Sequence, residues 1–410
     1  MHLLVPRFPA ELTDEIIDHL HDDQRALSSC SLTCRGWVTR ARYNRFKSVE
    51  IYVKNWSGFK QLLDDYPPIG DLVCSLSLVG NAKHGYLSRS DPEAVRKMMR
   101  WANEGIPAIL PLLSRVTDLA LLRIDLSGGI VEALINHLRS VETLRLTSCG
   151  AKDVSVLLTI IGPFPELQSV RVKSWSLLDR TNLLPPHPSP LASSLHGALT
   201  TRLPSIKKFS MACRPVKDTT ALAILQWLVD QSLYHSLSSL AIPLQGGGEV
   251  ATLDRVLKVV GPGLRKLEIG LEPDYLGAED LTNPPLTLAH CTNLHTLKLQ
   301  SIKLHRNIHL GSLSSHLAWV PRLLSQVSSP HIQYLTFRIR AAGAERADLE
   351  ALDWTTVDEI LASPPFQNLR GVTFHIMKGD AIINDVVPFI KGCLPNLEAR
   401  RITRFIRYAT

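Results

Sequence analysis

The stretches LRKLEI at residues 264–269 and LHTLKL at residues 294–299 share one pattern, in which apolar residues occupy the first, fourth and sixth positions. Ten clear copies run from VCSLSL at residues 73–78 to LRGVTF at residues 369–374, and a decayed copy, LEARRI, begins at Leu397. Side chains alternate between the two faces of a strand. The pattern therefore predicts one strand per copy, with the apolar side chains on a buried face and the variable ones on an exposed face.

Segments with helical apolar spacing lie between these strands, at residues 130–138, 154–161, 219–233 and 250–260. Successive copies start 25 to 43 residues apart. Strand–turn–helix units of this kind bury their apolar faces against neighbouring copies. We therefore expect an α/β solenoid, with a curved parallel sheet on its concave side and helices on its convex side.

The repeats resemble leucine-rich repeats, strongly in the strand and weakly in the turn that follows it. The polar turn position is filled recognisably only at Asn81 and Cys149. The copies are also longer and less regular than ordinary leucine-rich repeats. The resemblance implies an irregular leucine-rich-repeat solenoid whose exposed strand positions bind another protein.

Residues 8–46 differ from everything that follows them. Pro9 can open a helix, since the first turn of a helix leaves its N–H groups unpaired. Leu12, Ile16 and Ile17 then share one helical face, and an aspartate at 22 or 23 suits the cap of a second helix. A third amphipathic segment runs to residue 46. Three short helices in about forty residues are close to the lower size limit of a self-sufficient core, so we expect this module to need a partner.

This module resembles an F-box of the fungal type. The resemblance is carried by PAEL at residues 9–12, ALSSCSLTCRGW at residues 26–37 and RYNRF at residues 42–46, with Phe8 where the family usually has leucine. It implies a substrate receptor of a Skp–cullin–F-box ubiquitin ligase that docks on the Skp adaptor and, through it, on a cullin. The family pattern assigns the adaptor contact, or the support of its helices, to Pro9, Leu12, Ile16, Ile17, Leu27, Cys30 and Trp37.

The predicted domain organisation has three parts. Residues 1–50 form the helical module, residues 51–72 form a junction that caps the first repeat, and residues 73–410 form the solenoid. Residues 48–53 read as an extra strand and residues 56–63 as a helix at this junction. Pro-rich residues 183–190 and acidic residues 272–285 read as loops, and residues 400–410 read as a helix or strand that covers the last repeat.

Composition favours a folded protein of the cytoplasm or nucleus. The 410 residues are 45% hydrophobic and 20% charged, and seven scattered cysteines indicate a reducing compartment. The apolar run before Pro6 is too short for a signal peptide, and the longest apolar stretch, residues 154–161, is too short to span a bilayer. No membrane association is expected.

Catalytic and metal-binding motifs are missing from the sequence. There is no GxSxG, Walker or HExxH motif. Cys30 and Cys34 have no second pair at zinc-finger spacing, and His305 and His309 lack a carboxylate partner on a shared helix. We therefore expect no enzyme activity, no metal and no cofactor.

Basic residues outnumber acidic ones on the predicted exposed face of the strands. Asp118 and Glu268 are the acidic members, and the basic members are Arg145, Arg171, Lys173, Lys208, Lys266, Lys298 and Arg338. Such a face would attract an acidic or phosphorylated segment of a target protein. The alternative is an ordinary solvated face that carries its share of the net charge of +7.

Two other functions are compatible with the sequence. A repeat scaffold could bind partners without any ligase, with the first module as a vestigial cap. A nucleic-acid binder could use the basic face, but this is the weakest interpretation, because the face has no patterned aromatic platform and the chain has no recognisable reading helix.

Overall fold

The computed structural model describes residues 9–80, 92–126, 129–151, 154–177, 204–212, 220–230, 233–244, 247–271, 286–304, 317–341, 346–377 and 383–408. The chain divides into two compact units. Unit 1 comprises Met1–Leu167 and Trp175–Pro204, and unit 2 comprises Gln168–Ser174 and Ser205–Thr410.

Unit 1 begins with three helices, α1 (Ala10–His19), α2 (Gln24–Thr33) and α3 (Arg35–Phe46), as the sequence predicts. Pro9 immediately precedes α1. Asp23 caps α2, since its Oδ1 accepts hydrogen bonds from the N–H groups of Arg25 and Ala26 at 3.0 and 2.9 Å. These helices form the helical module.

Four parallel strands follow in unit 1, in the order β1 (Ser48–Tyr52), β2 (Ser75–Val79), β3 (Asp118–Leu122) and β4 (Thr143–Thr147). Ile51 is in register with Leu78, and Leu78 with Leu121, so that the apolar residues of each strand share the buried face. A short pair, β5 (Gly150–Ala151) and β7 (Ser176–Leu177), is also parallel. The strand and the helix predicted at the junction are confirmed.

The helices of unit 1 lie between its strands. They are α4 (Trp56–Asp65), α5 (Pro92–Arg100), α6 (Ile106–Ile109), α7 (Ile130–His137) and α8 (Val154–Ile161), with 3-10 turns at Pro67–Leu72 and Leu110–Leu112 and a π-helical turn at Trp101–Gly105. The helices predicted at residues 130–138 and 154–161 correspond to α7 and α8. Cys149 is buried, and its Sγ lies 3.2 Å from the carbonyl oxygen of Leu121 on the neighbouring repeat.

Unit 2 contains eight parallel strands in chain order. They are β6 (Ser169–Lys173), β8 (Lys208–Ala212), β9 (Ser239–Leu244), β10 (Lys266–Leu271), β11 (Thr296–Lys303), β12 (Tyr334–Arg340), β13 (Gly371–Met377) and β14 (Thr403–Tyr408). The ten strands predicted from the repeats are therefore all present across the two units. Parallel strands joined through helices fit an α/β solenoid.

The helices of unit 2 are α9 (Thr220–Asp230), α10 (Gly247–Val260), α11 (Trp319–Ser325), α12 (Arg346–Leu349), α13 (Trp354–Ala362), α14 (Ile383–Gly392) and α15 (Pro395–Ala399). Turns of 3-10 helix occur at Leu233–Ser236, Gly261–Gly263 and Pro364–Phe366. The predictions at residues 219–233 and 250–260 correspond to α9 and α10. On the buried side of the sheet, the rings of Phe337, Phe374 and Phe405 stack with centroids 5.1 and 4.9 Å apart.

The end of unit 2 differs from the sequence prediction. The decayed copy at Leu397 is not a strand, because α15 occupies this position and buries Leu397. Pro395 begins α15, and the buried carboxylate of Asp358 accepts hydrogen bonds from the N–H groups of Asn396 and Leu397 at 2.9 and 3.1 Å. The closing strand, β14, starts only at Thr403, and it pairs with β13 as expected for a segment that covers the last repeat.

Several sequence predictions concern residues outside the described part of the chain. These are the loops at residues 183–190 and 272–285, the turn residue Asn81, and the pair His305 and His309.

Candidate protein-binding surfaces

The helical module has a small core of its own. Ile17, Leu27 and Ala41 are buried, one on each helix, and Leu20, Cys30 and Trp37 pack against them. Four of the seven residues assigned to the adaptor contact thus serve the module itself, with Ile17 and Leu27 inside the core and Cys30 and Trp37 at its margin.

The module also exposes large apolar side chains. Leu12 and Ile16 are 47% and 57% exposed and lie one turn apart on α1, so they share a face of that helix. Pro9, just before the helix, is exposed as well. These three residues are the outward-facing members of the predicted adaptor contact.

Leu32 on α2 is 87% exposed and was not among the predicted contact residues. A signal for it exists in the sequence, because Leu32 lies five residues after the buried Leu27, away from the positions at three and four residues that continue a buried stripe. We use the term exposed apolar set for Pro9, Leu12, Ile16 and Leu32.

A polar cluster fixes α1 against α3. The guanidinium of Arg40 forms a two-pronged ion pair with the carboxylate of Asp18, and Asn44 Nδ2 donates to Asp18 Oδ1 at 2.7 Å. The hydrogen bonds from Arg40 and Asn44 lower the pKa of Asp18 to about 2. This cluster holds the helix that presents Leu12 and Ile16.

In unit 1, the predicted basic position Arg145 is not a free cation. Its guanidinium lies 3.2 Å from the carboxylate of Asp118, the acidic residue predicted for the same strand face. Both side chains stand on the exposed face of their strands, at the predicted positions. Their opposite charges offset one another.

In unit 2, the predicted basic residues all occupy the exposed face of the strands, as the alternation of their burial shows. They are Arg171, Lys173, Lys208, Lys266, Lys298 and Arg338. We call this surface the open face of unit 2. Within the described residues, none of the six forms a salt bridge.

Two further arginines of the open face were missed. Arg340 lies two residues after Arg338 on β12, so extending the alternation one step past Arg338 would have found it. Arg404 is in register with Thr373, but it lies in the last strand, where the sequence pattern is displaced from the structure. The repeat pattern contained no signal for Arg404.

The cations of the open face affect the ionisation of their neighbours. Partial burial lowers the pKa of Lys266, and the nearby positive charge of Lys298 lowers it further. Partial burial likewise lowers the pKa of His375, with added repulsion from Lys298 and Arg338. A bound anion would relieve this repulsion, since it would favour the charged forms of both side chains.

A pocket of about 160 Å³ opens near the carboxyl ends of the strands on this face. Its polar lining comprises Glu268, Gln300, Ser301, Arg338 and Arg340, and the rest of the wall is formed by Met211, Ala212, Ile242, Pro243, Gly270 and Met377. Gln300 Nε2 donates a hydrogen bond to Glu268 Oε1, which orients both side chains.

The described residues lack the features of two other kinds of site. No helix in the described ranges is both long and apolar enough to cross a membrane. Those ranges also contain no group of three or more His, Cys, Asp or Glu residues that could hold a metal ion.

No family model matches the chain, and no curated protein matches it either. Among solved structures, the chain shows similarity to one described as the crystal structure of a TLR13–ssRNA13 complex, with 15% identity and a TM-score of 0.26. The match covers 65% of this chain and 43% of the other, so the chain spans less than half of that protein's length. The solenoid assignment therefore rests on this chain's own strands and their register.

Proposed function

We propose that this chain is a substrate-recognition subunit of a Skp–cullin–F-box type ubiquitin ligase. In this proposal the helical module docks on a Skp adaptor, unit 2 holds a target protein, and other subunits perform the ubiquitin transfer. The chain itself is then not an enzyme, and it acts in the cytoplasm or nucleus. The exposed apolar set on the helical module is the observation that carries the proposal.

The physical argument concerns Leu12, Ile16 and Leu32. The module already buries Ile17, Leu27 and Ala41, so its exposed leucines and isoleucine are surplus to its own core. Removing a leucine or isoleucine side chain from water contributes about 1.5–3 kcal/mol. A partner that covers three such side chains would gain several kcal/mol, and the resemblance to an F-box identifies that partner as a Skp adaptor.

The target-binding half of the proposal rests on the open face of unit 2. Cations without salt bridges to the described residues, on neighbouring strands of a parallel sheet, favour an acidic or phosphorylated target segment. The predicted contacts on this face remain Arg171, Lys173, Lys208, Lys266, Lys298 and Arg338. In unit 1, Arg145 is a weaker candidate because it pairs with Asp118.

Binding of a Skp adaptor by the full chain directly tests the adaptor-docking half of the proposal. Leu12→Asp and Ile16→Asp each place a charge in the proposed contact, and we expect each to weaken binding of a purified Skp adaptor at least about 100-fold, equivalent to about 2.7 kcal/mol. Val259→Asp is the matched control, because Val259 is 46% exposed but lies on a helix of unit 2. Circular dichroism should show that all three variants are folded.

Failure of the unmodified chain to bind the adaptor would contradict the ligase assignment. A chain that still captured protein targets through unit 2 would then be a repeat scaffold without a ligase. Equal weakening by Val259→Asp would also contradict the assignment of the contact to the helical module.

A further inference from the structure

We propose that the pocket on the open face of unit 2 binds a side-chain carboxylate of an acidic target segment, and that it selects carboxylate over phosphate. The inference rests on the proposed function, because it names the chemistry by which unit 2 would hold its target. It is carried by the size of the pocket, the charges in its wall and the small side chains beside them.

The size of the pocket limits its occupant. A volume of about 160 Å³ is well below the roughly 300–1,000 Å³ that is usual for small-molecule sites. It accommodates the end of one side chain, with the rest of the bound segment outside the pocket. An occupant of this size is a single functional group of a larger partner.

The charges in the wall select the type of anion. Arg338 and Arg340 lie two residues apart on β12, so both point to the open face and both can offer guanidinium forks to an oxyanion. Glu268 opposes them, and the three side chains have a formal net charge of +1. A carboxylate would neutralise this charge, whereas a phosphate monoester carries about −1.5 to −2 and would repel Glu268.

Gln300 keeps Glu268 in place as part of the wall. Its amide donates to Glu268, and the register of β10 and β11 places Gly270 opposite Gln300. A Cβ at Gly270 would lie 3.3 Å from the Cβ of Gln300, so glycine leaves room for that side chain. The glutamate is therefore a fixed part of the pocket, and its repulsion acts on any anion that enters.

The surroundings of the pocket favour an extended segment with several carboxylates. Ala212, Pro243 and Gly270 are small, so a bound backbone can approach the sheet there. Lys266 and Lys298 stand on the same open face, on the two strands β10 and β11. Additional acidic side chains of the segment would meet these cations while one carboxylate occupies the pocket.

The test uses the full chain and fluorescently labelled, C-terminally amidated peptides in a polarisation assay. One peptide alternates Glu with Gly, a second carries phosphoserine in place of each Glu, and a third carries Gln. A Gln peptide with a free C-terminus tests whether a C-terminal carboxylate can occupy the pocket. We expect the Glu peptide to bind more tightly than the phosphoserine peptide, and both Gln peptides to bind at least about tenfold more weakly than the Glu peptide.

Three substitutions test the assignment of the pocket. Arg338→Gln and Arg340→Gln should each weaken the Glu peptide about tenfold, whereas Arg322→Gln, an equal charge change on α11, should leave it unchanged. Glu268→Gln removes the repulsion and should improve binding of the phosphoserine peptide about tenfold, with a smaller gain for the Glu peptide.

Each contrary result has a distinct meaning. Phosphoserine binding that is as tight as Glu binding or tighter, or equal gains from Glu268→Gln for both peptides, would overturn the carboxylate preference and leave the proposed function intact. Equally tight binding by the Gln peptide with a free C-terminus would show that the pocket binds a C-terminal carboxylate and not a side-chain carboxylate. If neither anionic peptide binds, the pocket assignment fails, and adaptor capture alone then decides the proposed function.

Discussion

The helical module and the open face of unit 2 present opposite kinds of surface on the same chain. The module exposes leucine and isoleucine beside a completed core, whereas the open face exposes lysine and arginine above a buried apolar layer. Apolar contacts contribute affinity roughly in proportion to the area that they bury, while charges contribute specificity and association rate. If both surfaces bind partners as proposed, we expect the contact at the module to depend little on salt and the contact at the open face to be selective and salt-dependent.

The largest expected effect separates core from surface inside the module. Ile16 and Ile17 are adjacent, but Ile16 is 57% exposed and Ile17 only 1%. Ile17→Ala should lower the free energy of unfolding by about 2–5 kcal/mol, since it leaves a cavity between α1, α2 and α3. Ile16→Ala, the matched control, should change it by less than about 0.5 kcal/mol. Urea denaturation followed by circular dichroism measures both, and equal losses would contradict the division into core and contact residues.

A second prediction compares the carboxylates that tie helices together in the two regions. Asp358 in unit 2 is buried and accepts the first N–H groups of α15, whereas Asp18 in the module is 38% exposed. Asp358→Ala would leave the buried N–H group of Leu397 and the partly buried N–H group of Asn396 without this acceptor, so the free energy of unfolding should fall by about 1–3 kcal/mol. Asp353→Ala removes the exposed N-cap of α13, the helix that carries Asp358. It serves as the control, with an expected loss of about 1 kcal/mol. A loss for Asp358→Ala no greater than that of the control would contradict the buried role.

Salt provides a third way to separate the two surfaces. Exposed charges are screened with a Debye length of about 10 Å at 0.1 M salt and about 3 Å at 1 M. Binding of the Glu peptide to the open face should therefore weaken about tenfold between these concentrations, whereas adaptor binding by the module should change about twofold or less. Isothermal titration calorimetry at the two salt concentrations measures both affinities. Equal salt dependence would contradict the proposal that the module binds through apolar contacts and the open face through charges.

The repeated parts of the molecule were predicted well because each repeat has the same spacing of apolar residues. Every strand from β2 to β13 in the main array follows the apolar spacing, so the side chains of Lys266, Lys298 and Arg338 could be assigned to the exposed face in advance. The repeat pattern alone misplaced the last strand, although residues 400–410 were expected to cover the last repeat, because Pro395 and the carboxylate of Asp358 stabilise a helix where the last copy would begin. A hydrogen bond between residues 38 positions apart has no signature in a local pattern.

Prediction of the candidate sites was less complete, for two physical reasons. Helical spacing places Ile16 and Ile17 near one face of α1, and only the packing of α2 and α3 decides which one is buried. The pocket depends on β10, β11 and β12 being neighbours, which brings Glu268, Gln300 and Arg340 together from three repeats, and it lies beside the register shift of β11 against β12 between Leu299 and Ile302. The pattern identified exposed positions in each strand, but the arrangement of side chains across strands required the structure.

The smallest expected effect concerns acid and tests how the module holds α1. Hydrogen bonds from Arg40 and Asn44 lower the pKa of Asp18 from 3.8 to about 2. A carboxylate with a lowered folded-state pKa stabilises the fold fully above its unfolded pKa, and the contribution disappears as the pH falls through the folded value. Because the pair is partly exposed, we expect it to contribute less than about 1 kcal/mol at pH 7.

The measurement is the difference in the free energy of unfolding between the unmodified chain and Asp18→Asn. This difference should be constant above about pH 5, since the carboxylate is then ionised in both states, and should shrink as the pH falls from there towards about 2. A difference for Asp18→Asn that grows on acidification would show that folding raises the pKa of Asp18. The ion pair with Arg40 would then not be what holds α1.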